Sequence, residues 1–239
     1  MKSITFATAA LLTALNASAC DNLNQSWELD HARVIAVRVE PPSLAPGQQG
    51  KITALVVSED GTPSEISPAI AIVPTEDPVV NAAIKIELGT WKVTAGDANA
   101  IAAARAAAQV AADKPFQIQI GARFAWDNVT RDVAKTVGLG ESTASNPPTP
   151  VLTLDGAPLT TPPTLERGKK YQFAMSNFAA DPMLAFHWAV STGILTKSET
   201  AGAELEIDDT AIAGPAHLLV TVRNLTGGVS WATTTIVVQ

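Results

Sequence analysis

The chain has 239 residues, with 16 basic side chains against 23 acidic ones and a formal charge of −7. A chain of that sign repels phosphate backbones and carries no Lys/Arg cluster to offset it, which argues against a nucleic-acid partner. Its hydrophobic content of 46% is that of a globular protein rather than a disordered stalk, and its one cysteine excludes a disulfide framework, so the fold must rest on packing.

The amino terminus reads as a secretory signal over residues 1–19: Lys2, an apolar stretch over 4–15, then Asn16, Ala17, Ser18 and Ala19 before Cys20. The apolar stretch is too short and too rich in Ala and Thr for a membrane span, which needs about 20 strongly apolar residues. Ala17, Ser18 and Ala19 also fit an ordinary signal-peptidase site. Small residues directly before the only cysteine resemble the lipobox of bacterial lipoproteins, although Ala17 stands where that motif favours leucine. The resemblance implies that Cys20 is lipidated and becomes the first residue of the mature chain. The protein would then be held in the cell envelope by its acyl chains, at the outer membrane on its periplasmic or surface side, with the inner membrane as an open alternative.

Residues 20–31 are polar and read as a tether. From Arg33 the pattern has period two: Ile35, Val37 and Val39 share a face until Pro41 and Pro42 stop the strand. In the next run Ile52, Ala54 and Val56 alternate against Leu55 and Val57, and Asp60 with Gly61 supplies a turn. Further strands are expected over 69–73, 82–88, 91–93, 116–124 and 132–139. The segment 97–113 is almost all alanine between Asp97, a natural N-cap, and Pro115. It predicts a helix of about four turns inserted between strands and lying across an open end of the sheet core.

The Pro-rich stretch 144–150 marks a boundary expected to make few contacts. It divides the mature chain into a sandwich at 32–143 and another at 151–239. Beyond the boundary, strands are expected over 151–154, 171–176, 185–191, 204–207, 217–223 and 229–238, with Phe186, Trp188 and Val190 on one face. Many short strands joined by turns predict an all-β fold of two immunoglobulin-like antiparallel β-sandwiches, the first holding the helical insert.

Trp188, after the GKKYQF segment and before GPAHLLVTVRN, resembles the core tryptophan of immunoglobulin-like and PKD-like modules over residues 151–239. Residues 33–57, the Ala-rich insert, the strand from Lys135 to Leu139 and the run from Asn146 to Gly156 are similar to envelope lipoproteins abundant in myxobacteria-like Gram-negative genomes. That likeness implies a two-module lipoprotein and brings no catalytic residues with it.

Neither HExxH, GxSxG nor SxxK occurs, and lipidation would consume Cys20, so a non-enzymatic protein is expected. His187 and His217 fall out of phase with the core positions of their strands and should face solvent, while His31 lies in the tether. No cofactor is implied. Calcium is the one ion to weigh, through Asp155, Asp181, Asp208 and Asp209, although these sit in ordinary turn sequences. Trp91 and Trp126, near turns, are candidate ligand or glycan contacts if their rings are exposed. The functional expectation is a membrane-tethered protein presenting its modules for protein–protein interaction or structural support. Two alternatives stand beside it: a carbohydrate-binding or adhesive module acting on a polysaccharide, and an accessory subunit of an envelope enzyme or secretion machine.

Overall fold

A computed structural model describes residues 28–73, 77–87, 89–140 and 144–239. The expected signal segment 1–19, Cys20 and the tether as far as residue 27 lie outside the described residues.

The first half is built from β1 (Arg33–Glu40), β2 (Ser43–Leu44), β3 (Gln49–Val57), β4 (Pro63–Ile66), β5 (Ile70–Ile72), α1 (Pro78–Ala83), β6 (Ile84–Glu87), β7 (Lys92–Ala95), α2 (Ala98–Ala107), β8 (Phe116–Trp126) and β9 (Val129–Leu139). One sheet has the order β1-β3-β7-β6 with β4 beside β3, and the other has the order β2-β9-β8-β5. Pro41 and Pro42 cannot donate to a ladder, so the chain leaves β1 there and crosses to the second sheet, where β2 pairs parallel with β9.

The second half repeats the scheme with β10 (Leu152–Leu154), β11 (Ala157–Pro158), β12 (Thr164–Leu165), β13 (Lys169–Met175), β14 (Leu184–Val190), β15 (Ile194–Thr196), β16 (Gly202–Ile207), β17 (Gly214–Asn224) and β18 (Val229–Val238). Its sheets run β11-β10-β13-β16-β15 and β12-β18-β17-β14, and β12 again pairs parallel with the last strand. Both halves have the immunoglobulin-like strand order, a five-strand sheet facing a four-strand sheet, with the chain crossing between the two sheets near its first strand. The fold is all-β with two such sandwiches, as the alternation predicts.

Each sandwich has its own core. Val39, Ile52, Val56, Ile120, Phe124 and Val137 fill the first. Phe173, Trp188, Leu205, Leu218, Val220 and Ile236 fill the second, where Trp188 is fully buried and its indole N–H donates to the Thr200 carbonyl at 2.9 Å.

The helical insert is present but shorter than 97–113. Asp97 accepts from the Ala100 N–H at 2.8 Å to start α2, and Ile101 and Ala104 pack into the first core. After α2 the chain turns at Gln109, whose φ is 54°. The Arg105 guanidinium then binds the carbonyls of Ala111 and Lys114 at 2.9 and 2.7 Å, so the rest of the Ala-rich run is a loop wrapped on arginine. The strand expected over 82–88 begins only at Ile84. Asp77 caps Val79 at 2.8 Å and Pro78 starts α1 just before it.

Candidate functional site

Strand β3 is buried on both sides. Ile52, Ala54 and Val56 face the first core, yet Leu55 and Val57 on the opposite side are 1% and 0% exposed. The second sandwich covers them. A third apolar cluster joins Ala36, Leu55 and Val57 of the first half to Ala189, Leu219, Val229 and Trp231 of the second, with Leu29 at its margin. The outer face of the β1-β3-β4 region therefore packs on the outer face of β14-β17-β18, so that the two sandwiches lie side by side rather than end to end.

Polar contacts fix the register of this joint. The Trp231 indole N–H donates to Glu65 Oε1 at 2.5 Å, and the Arg38 guanidinium lies 4.2 Å from the centre of the Trp231 ring. Lys135 on β9 donates to the Gly227 carbonyl at 2.6 Å in the loop between β17 and β18. Burial, with a smaller contribution from the Arg223 charge, pushes the Lys135 ammonium down to about 8.

The Pro-rich boundary is stitched into the joint rather than poor in contacts. Asn146 donates to the Val39 carbonyl at 3.2 Å and accepts from the Val229 N–H at 3.0 Å, and Ser230 donates to the Pro148 carbonyl at 2.8 Å. Glu28 and Leu29, expected within the tether, are also engaged, while Asp30 and His31 stay exposed. Leu29 is 2% exposed, and its N–H donates to the Val190 carbonyl at 2.9 Å.

The side-by-side arrangement gives the body two poles. At one, Leu29 meets the end of β14, the Gly61 turn lies against Leu29 and Ser191, and Ser58 donates to Asp127 in the β8–β9 turn. At the other, the loop before β14 and the loop after β17 meet, because Leu184 pairs with Asn224. Their tips hold Met183 and Leu225, which are 56% and 72% exposed. Beside them opens a cleft of about 320 Å³ whose wall includes Arg105, Lys114 and Phe116 of the first sandwich and Leu225 and Thr226 of the second. Ser43, 7% exposed, also lines this cleft, and its hydroxyl has no hydrogen-bond partner among the described residues.

The structure does not bring the two candidate tryptophans together. Trp126 is the last residue of β8, is half-buried against the first core, and donates its indole N–H to the Val57 carbonyl at 3.1 Å. The Trp91 carbonyl accepts from Ile52, five residues back along β3, which sets the two attachments about 17 Å apart. His217 is out of phase with its core as expected, but the face it occupies is covered rather than open to solvent. Its Nε2 lies 3.5 Å from the Thr62 hydroxyl of the first sandwich. Among the calcium candidates, Asp181 and Asp208 each accept a backbone N–H of their own turn, Asp155 accepts the Gln172 N–H of β13, and no group of three or more metal-ligating side chains occurs among the described residues. Cys20 lies outside the described residues.

Sequence reasoning missed Trp231, Lys135 and the Met183–Leu225 pair. The available signal was the uninterrupted apolar run at 54–57, repeated at 218–220, because a strand apolar on both faces needs cover on both.

The chain matches no protein-family model and no curated protein. Among solved structures, it is similar to cadherin domains 3–6 of protocadherin gamma B2, at 14% identity over 87% of this chain and 52% of that one, with a TM-score of 0.24. The human desmocollin-1 ectodomain is similar at 12% identity over 87% and 37% of the two chains, with a TM-score of 0.28. A nucleoside hydrolase-related hypothetical protein from Saccharophagus degradans is 22% identical over 40% and 26%, with a TM-score of 0.30. The chain thus spans about a quarter to a half of the length of these proteins. The fold assignment rests on its own strand order and pairing.

Proposed function

We propose that this chain is a lipid-anchored, non-enzymatic protein of the cell envelope, akin to the myxobacterial-type lipoproteins that its sequence resembles, and that it presents a fused pair of sandwiches for recognition by another protein. The observation that carries this reading is the placement of Met183 and Leu225. The packed sandwiches hold them largely exposed at adjoining loop tips, where recognition residues of sandwich folds are commonly set. Cys20, behind its lipobox-like run, supplies the anchor, and no described helix is long and apolar enough to cross a membrane.

Two measurements test the reading. Cys20→Ala should release the protein from the membrane fraction or leave its signal uncleaved, and a cleaved Cys20→Ala chain that still sediments with membrane overturns the anchor. A photoreactive side chain at Leu225 should form protein adducts in intact cells while one at exposed Gln172 does not. Equal adduct formation at the two positions, or none at either, overturns presentation through that pole.

A further inference from the structure

The point at which the chain becomes fixed decides how an anchored body stands on a bilayer. Leu29 is the first buried residue of the described chain: it is clamped to Val190, buried in the joint, and set beside the Gly61 turn at one pole. From Cys20 to Glu28 there are eight residue steps, about 29 Å when fully extended. The body itself is longer. Strand β8 runs from Phe116, in the wall of the far cleft, to Trp126, bonded to Val57 at the Leu29 pole, and its eleven residues measure about 33 Å. A tether rooted at Leu29 is therefore too short to let the far pole rest on lipid.

A second, independent feature lies at the same pole. The loop before β17 carries Ile212, which at 83% is the most exposed of the large hydrophobic side chains described. Strand β17 leaves that loop at Gly214 and passes His217, whose carbonyl binds the Ser191 N–H next to the Leu29 clamp. Ile212 thus projects on the tether side of the molecule, while Leu225 at the other end of β17 projects away from it.

We infer that the protein stands upright on the bilayer, with the Leu29 pole and the Ile212 tip against the lipid headgroups and the Met183–Leu225 pole held outward. This orientation rests on the lipid-anchor reading of Cys20. It makes the Ile212 loop a lipid contact and leaves Trp126 and the Gly61 turn on the membrane-facing side.

Because Cys20 is the only cysteine and is consumed by lipidation, a single added cysteine can be labelled cleanly. The lipidated full-length protein, carrying a donor fluorophore at Ile212→Cys or at Leu225→Cys, is placed in phosphatidylethanolamine–phosphatidylglycerol vesicles with acceptor-labelled headgroups. Energy transfer should be several-fold greater from position 212 than from position 225. Equal transfer from vesicle-bound protein, or greater transfer from 225, overturns the orientation while leaving the anchor intact. Failure of the wild-type chain to bind vesicles, or binding undiminished in Cys20→Ala, overturns the anchor itself and the orientation with it.

Discussion

Trp231 shows how one side chain can hold two modules together. Its ring is 5% exposed between an arginine face and an apolar cluster drawn from both sandwiches, and its N–H is satisfied by Glu65. Trp231→Ala should cost about 3–5 kcal/mol, the usual range for a buried aromatic, although the residue belongs to neither module's own core. Denaturant unfolding measures this, and a loss below about 1 kcal/mol would show that the joint is not packed as described. Lys135 makes the opposite contribution. Its folded pKa, near 8, lies below the unfolded value of about 10.4, so between those pH values the unfolded chain binds more protons. Below pH 8 the burial penalty is fully present, and it is relieved as pH rises through the window. The wild type should therefore gain stability relative to Lys135→Met from about pH 8 to 10.5, and a difference that stays constant across that range would contradict the assignment.

Among the elements, strands were legible in the sequence and their partners were not. Phe116, Ile118, Ile120, Ala122 and Phe124 alternate cleanly because one face of β8 meets the core and the other meets water. The strand expected over 82–88 starts two residues late, because Ile84, Lys85 and Ile86 alternate while residues 82 and 83 close α1, and the cap from Asp77 that starts that helix is a local hydrogen bond rather than a pattern of hydrophobicity. The joint was hidden for a different reason: its halves lie more than 120 positions apart, and no period in the chain links Leu55 to Leu219. A glycine makes the closeness of that joint testable. At Gly61, with φ of +81°, an added Cβ would meet the Leu29 carbonyl oxygen and the Ser191 Cβ, both at 2.7 Å. Gly61→Ala should cost about 1–3 kcal/mol through overpacking. Gly89→Ala, at φ +85° with nothing within 4 Å, carries only the backbone strain and should cost less. Equal losses for the two substitutions in thermal unfolding would mean that the modules do not press on this turn.

At the scale of the whole molecule, the side-by-side joint changes what each sandwich can do alone. Residues 151–239 hold a complete core and should fold in isolation, yet they would then expose Leu219, Val229 and Trp231 together. Such a fragment should self-associate in analytical ultracentrifugation, and Leu219→Ser should make it monomeric; a monomeric wild-type fragment would argue against an apolar joint. The central claim is that two immunoglobulin-like sandwiches form one body by packing face to face. Small-angle X-ray scattering on residues 21–239 tests it most directly. One compact body of this length has a radius of gyration of about 17 Å. Two such modules in an end-to-end row, each about 13 Å in radius of gyration with centres about 35–40 Å apart, would give about 22–24 Å. A value near 17 Å is the expected result, and one above about 21 Å for the monomer would contradict the face-to-face joint.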